Sequence, residues 1–211
     1  LYIREYLDES VRTEIRQMCQ DVIDTYDEML ETTDWLSEAT RKEARKKLKG
    51  MTINAVCPDK WEDYSIYSAD GDGGIVETRL DCAKAKEHYD ISRMNGEVDR
   101  AIWKDIDILD TNAFYHPYYN SINIVPGFFC DVTYRSDMSI EEKYGSLGAV
   151  IGHEVSHAFD SSGSQYDENG SLKNWWTDED KAKFDALGDK LAAQFDVVEV
   201  LPGVHANGRY T

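Results

Sequence analysis

The stretch Val150-Ile151-Gly152-His153-Glu154-Val155-Ser156-His157-Ala158-Phe159-Asp160 decides how this chain is read. Two histidines four apart on a helix project from one face about a turn apart, so both imidazoles can reach a single zinc ion at roughly 2.0–2.1 Å. Glu154 follows the first histidine directly. It lies beside such a metal without binding it, where it can take a proton from the water the metal activates and pass it to a leaving amine. The blander alternative is a pair of surface histidines on a helix. With five histidines in the chain, this spacing is expected by chance on the order of once per hundred chains or fewer.

Working outward, Ser139 to Asp160 has helical periodicity, with Tyr144, Leu147, Val150, Ile151 and Ala158 as its apolar stripe. Upstream, Thr111 to Tyr115 and Tyr119 to Val125 are rich in aromatic and β-branched residues. His116-Pro117 separates them, which predicts two strands joined by a turn. Downstream, Thr177 is placed to cap a last helix, with Asp178, Glu179 and Asp180 in its first turn and Phe184, Leu187, Leu191 and Phe195 along one side. The first fifty residues form two helices. Val11, Ile15, Met18, Val22, Tyr26 and Met29 share a face of the first. The second runs from the N-cap Ser37, with Glu38 in its first turn, through Lys46, Lys47 and Lys49 to a left-handed stop at Gly50. Residues 58 to 75 hold Pro58 and Asp70-Gly71-Asp72-Gly73-Gly74, a surface-loop composition without the alternating oxygen ligands of a calcium loop. A helix over about 76 to 89 follows. The expected fold class is α+β, mostly helical with a small β-sheet.

Charge and composition exclude several partner classes. The 41 acidic and 23 basic residues give a formal charge of −18, which repels nucleic acid and anionic membrane. No apolar run reaches the roughly 18 residues needed to span a bilayer. Cys19, Cys57, Cys82 and Cys130 form no CxxC pair. Buried free thiols are therefore expected rather than a zinc ribbon, a redox motif or a disulfide framework.

Five ordered segments carry a resemblance: Asn112 to Tyr115, Asn120 to Pro126, Tyr144-Gly145, Val150 to Asp160, and Gly170 to Trp176. They resemble the neprilysin-like zinc endopeptidases, a family that includes neprilysin, the endothelin-converting enzymes and bacterial oligopeptidases. The leading helices and Cys57 to Tyr64 also look like the approach to that family's catalytic domain. The resemblance implies a thermolysin-like catalytic unit with one zinc ion per complete site. It makes His153 and His157 the first two zinc ligands and Glu154 the general base. Asn112 and Ala113 become the edge-strand pair that grips a peptide substrate as an added strand. Asp160 either orients a ligand imidazole or merely ends the helix.

The chain also departs from the family's pattern. After Pro126 it has Gly127-Phe128-Phe129-Cys130-Asp131-Val132-Thr133-Tyr134 in place of an apolar run with Ile-Leu-Gln-Pro. Gly203 to Thr211 look like the approach to the family's Gly-Glu-Asn-x-Ala-Asp segment, whose Glu is the third ligand. The expectation is a partial catalytic domain: leading helices at 1–57, a loop and helical connection at 58–110, and edge strands with both later helices at 111–211. The remainder of a larger polypeptide then supplies the third ligand, and the isolated chain is inactive. His88, His116 and His205 are expected to be ordinary surface or hydrogen-bonded residues. Two rivals stay open: a non-catalytic peptide-binding module derived from a peptidase, and a structural metal site closed by Cys130 or His116. The few cysteines favour a soluble bacterial member over an animal extracellular one.

Overall fold

Asp8 starts the first long helix, α1 (Glu9–Thr32), by accepting the Ser10 N–H at 2.8 Å. Ile15, Met18, Cys19 and Ile23 recur at three- and four-residue steps and are its buried residues. Met29, expected on that face, is exposed because the stripe drifts past the edge of the core towards Leu30. Helix α2 (Glu38–Lys49) is capped by Ser37 as expected, and its buried residues are Thr40, Ala44, Lys47 and Leu48. Gly50 corrects the expected left-handed stop: its φ is −85°, and its N–H closes on the Lys46 carbonyl at 3.0 Å. The computed structural model describes residues 3, 5, 7–61, 65, 74–97, 103 and 106–210. The expected loop through Asp70 lies largely outside them. Gly74 is the N-cap of helix α3 (Ile75–Arg93), which has no buried residue.

A three-stranded sheet sits against α1. Strand β1 (Thr52–Ala55) runs parallel to β3 (Ser121–Ile124), and β2 (Ala113–His116) pairs antiparallel with β3, giving the order β1-β3-β2. The antiparallel pair is the one expected from the sequence; β1, only four residues long, is an addition. Every residue of β3 is buried. Ile122 and Ile124 face the core, while Asn123 on the other side accepts from Asn54 at 2.7 Å and donates to the Phe114 carbonyl at 3.0 Å. Strand β2 is left at an edge.

The helical run from Ser139 is built in three pieces. Helix α4 (Ile140–Lys143) carries a full capping box between Ser139 and Glu142. A wider π turn (Tyr144–Gly148) follows, then helix α5 (Ala149–Ser156). Leu147, Ile151, Val155 and Ala158 are fully buried against α1 and the sheet, each large side chain contributing about 1.5–3 kcal/mol. Polar ties lock the run to α1. Lys143 pairs with Glu14 at 2.7 Å, Asp21 accepts from the Tyr144 hydroxyl, and the Tyr26 hydroxyl donates to the Gly152 carbonyl at 3.0 Å.

Helix α6 (Asp178–Asp196) begins at the N-cap Thr177 as expected. A small hairpin of β4 (Glu199–Leu201) and β5 (Val204–His205) follows it. Of the four residues expected along one side of α6, Phe184 is half-buried against Trp176, but Leu187, Leu191 and Phe195 are exposed, and Ala192 is the apolar residue buried. All four cysteines are free thiols; Cys19 and Cys57 are buried as expected, whereas Cys82 is half-buried and Cys130 exposed.

Candidate metal centre and cleft

Burying one face of α5 fixes the direction of the other. With Ile151 and Val155 in the core, His153 and His157 point outward, and their Nε2 atoms lie 3.1 Å apart. Helix α5 ends at Ser156, short of the expected Asp160. His157 is nonetheless held in helical geometry (φ −61°, ψ −20°) by its N–H to the His153 carbonyl, so the four-residue spacing keeps its meaning. Two nitrogens about 2.0–2.1 Å from one tetrahedral zinc stand about 3.4 Å apart, so this pair accommodates the ion with a small rotation of either ring.

The Asp160 carboxylate is engaged through both of its oxygens. Its Oδ2 lies 2.7 Å from His157 Nδ1, while Oδ1 accepts the N–H groups of Ser162 at 2.8 Å and Gly163 at 2.7 Å. Burial opposes its ionisation. The Gly163 N–H, the His157 ring and the Ser162 N–H outweigh that and hold its carboxyl below the usual range. An ionised carboxylate only accepts, so it takes the Nδ1–H of His157, the tautomer that in a neutral imidazole leaves Nε2 as the metal-binding nitrogen.

Glu154 is 6% exposed, and burial pushes its carboxyl up, against the pull of His157, His153 and the Tyr115 N–H. That N–H donates to Oε2 at 2.9 Å from edge strand β2. Among the described residues, His153, Glu154 and His157 form the group of ligand-type side chains able to converge on one ion. His88, His116, His205 and Cys130 stand outside it. The cleft in front measures about 420 Å³ and is lined by Asn112, Ala113, Tyr115, His153, Glu154, His157 and Asp160, among others. The sequence-predicted residues are thus brought together. The divergent Gly127–Tyr134 segment does not line this cleft; Phe128, Phe129 and Tyr134 pack against the core instead.

Sequence reasoning missed the supports of the site. Lys47, by position a helix-dipole residue, is 1% exposed, and its Nζ donates to the carbonyls of Ala158 (2.8 Å), Gly163 (2.6 Å) and Tyr166 (2.7 Å). Its position seven residues after Thr40 and three after Ala44 put it on the buried stripe, a signal that could have found it. Asn120, at φ +46°, donates to the Lys47 and Glu168 carbonyls and accepts from the Tyr115 hydroxyl. It ties the end of α2 to the strand that touches Glu154. Burial pulls the Lys47 ammonium down to about 8, with Asp160 and Asp167 opposing.

A helix presenting His-Glu-x-x-His to an edge strand across a cleft defines the class of HExxH metallopeptidase folds. Comparison with known proteins narrows the class. Two sequence profiles, each described as Peptidase family M13, match residues 1–58 and 112–211. A neutral endopeptidase of Lactobacillus helveticus is 33% identical over 202 residues, covering 95% of this chain and 31% of the relative. The crystal structure of PepO from Lactobacillus rhamnosis superimposes with a TM-score of 0.85 at 33% identity, over 98% of this chain and 33% of that one. The Mycobacterium tuberculosis zinc metalloprotease Zmp1, solved with an inhibitor, gives 0.81 at 28% identity, over 99% and 32%. The chain belongs to peptidase family M13, and it spans about a third of the length of the relatives it matches. Among the described residues, no helix is long and apolar enough to cross a membrane.

Proposed function

We propose that the protein containing this chain is a zinc-dependent endopeptidase, with His153 and His157 as ligands through Nε2 and Glu154 as general base. The observation that carries this reading is the convergence of two imidazole Nε2 atoms 3.1 Å apart and a buried carboxylate on a cleft bordered by the edge strand β2. A zinc ion held by His153 and His157 would supply polarisation of the scissile carbonyl and a lowered pKa for water. The chain's own residues do the rest. Tyr115 N–H engages Oε2 of Glu154 and leaves Oε1 for the attacking water, whose proton Glu154 then delivers to the leaving amine. Asp160 holds the His157 ring in the ligating tautomer.

Strand geometry supports the roles assigned to Asn112 and Ala113. Tyr115 directs its N–H away from β3, and the two-residue period of a strand places the Ala113 main-chain groups on that same open edge. A peptide adding there as a strand runs past Glu154, with the Asn112 amide at the end of the edge. The described residues supply two imidazoles where a catalytic zinc takes three protein ligands, so the third comes from another segment of the polypeptide. The isolated 211 residues then bind zinc weakly and turn over little or no peptide. Four free thiols support a bacterial-type member over a disulfide-bonded extracellular one.

The test is Glu154→Gln in the full-length protein. Removing the proton acceptor is expected to lower kcat about 10²- to 10⁴-fold on a short peptide while zinc stays bound. Unchanged turnover, or a wild type without stoichiometric zinc, sinks the assignment. Full activity from the 211-residue chain alone refutes the external third ligand.

A further inference from the structure

An ammonium taken out of water is strongly disfavoured unless each of its protons finds a partner. Among the described residues no carboxylate pairs with Lys47. All three of its donors instead go to main-chain carbonyls of one short segment, 158–166. That segment starts directly after His157 and carries Asp160. Gly163 is its pivot: its N–H binds Asp160 Oδ1, its carbonyl binds Lys47 Nζ, and a Cβ there would lie 1.8 Å from the His157 carbonyl oxygen. A continuous path of hydrogen bonds therefore runs from α2 through Gly163 to Asp160, and from Asp160 to the Nδ1 of a metal-ligating imidazole.

We propose that Lys47 is a positioning residue for the ligand His157, acting through Gly163 and Asp160 to fix the orientation in which Nε2 meets the metal. The proposal rests on the zinc reading above. Lys47 touches neither substrate nor metal, and its contribution lies in the shape of the turn.

The experiment is a double-mutant cycle on zinc affinity in the full-length protein, read by competition with a chelator. Lys47→Met keeps the packed stem and removes the donors, and it is expected to weaken zinc about ten- to a hundredfold, the range of lost outer-shell partners. Asp160→Asn is expected to weaken it similarly. The double variant should be no weaker than the weaker single one, because both act on one path. A folded Lys47→Met protein that binds zinc like the wild type overturns the proposal. So does a loss of equal factor in the Asp160→Asn background, since Lys47 then acts by another route. If Lys47→Met does not fold, Lys47→Gln takes its place in the cycle: its two N–H protons on a shorter stem cannot serve three carbonyls, so zinc should still weaken, and either of the same two outcomes overturns the proposal. A wild type that binds no zinc overturns the metal reading itself, which separates the two failures.

Discussion

Helices α5 and α6 are both amphipathic by spacing, and the fold treats them in opposite ways. On α5, Ile151 and Val155 are fully buried between α1 and the sheet, and the histidine face is left for chemistry. On α6, Leu187, Leu191 and Phe195 are exposed by 43%, 53% and 39%. That helix is secured at its first turn. The Asp180 carboxylate accepts the Ser37 N–H at 3.1 Å and the Ser37 hydroxyl, and the Thr177 N–H donates to Thr40 Oγ1 at 3.2 Å. A metal helix needs its rear face immobilised, because ligand geometry tolerates errors of only about half an ångström. Apolar packing along its whole rear face supplies that for α5, whereas α6 is tied down by polar groups and Phe184 near its start and by the close approach of Gly208 near its end.

The contrast is broken most severely at Ile151. Ile151→Ala should cost roughly 2–5 kcal/mol, the range for emptying a packed aliphatic site. Denaturant titration reads it, and a loss under about 1 kcal/mol would mean that α5 is not packed as described. Asp180→Ala comes next, at about 2–3 kcal/mol for a lost charged acceptor that leaves the Ser37 N–H unpaired. Acid should mimic it. Burial opposes ionisation of Asp180, but the hydroxyls of Ser37, Thr40 and Thr177 and the Ser37 N–H hold its carboxyl well below the ordinary range. Its stabilisation is thus complete above the unfolded-chain value of about 4 and is lost as pH falls through the lower folded value. Near-ultraviolet circular dichroism should follow this junction, since Trp35 stacks on Trp176 at 6.5 Å beside it. Wild type and Asp180→Ala losing signal over the same acid range would remove Asp180 from the explanation.

What the sequence revealed and what it concealed follow the same division. His153, Glu154 and His157 were legible because a four-residue spacing converts directly into shared direction on a helix. The caps at Ser37 and Thr177 were legible because capping is local. Strand β1 was not, since its pairing with β3 joins Thr52 to Ser121 across a gap no local pattern spans. The stripe position of Lys47 hinted at burial, but its partners were concealed for a related reason. A lysine in the last turn of a helix satisfies the dipole, and only the tertiary fold shows three carbonyls waiting for its ammonium. On α6 the periodicity named the apolar side correctly but says nothing about what covers it.

The gentlest substitution sharpens the comparison furthest. Leu191 and Ala192 are neighbours in sequence, about 100° apart around α6, one exposed by 53% and the other by 7%. The carbonyl of Ala192 lies where a Cβ on Gly208 would approach to 2.0 Å, so the residues after β5 close tightly on that side of the helix. In the 211-residue chain, Leu191→Ala should therefore shift stability by no more than about 0.5 kcal/mol, as for any surface site without partners. Ala192→Leu, adding bulk where there is no room, should cost about 1–3 kcal/mol. Denaturant midpoints at unchanged slope measure both. If Leu191→Ala proved as costly as Ala192→Leu, the face carrying Leu187, Leu191 and Phe195 would be packed rather than bare. The distinction between a helix held by its core and one held by its cap would then fail.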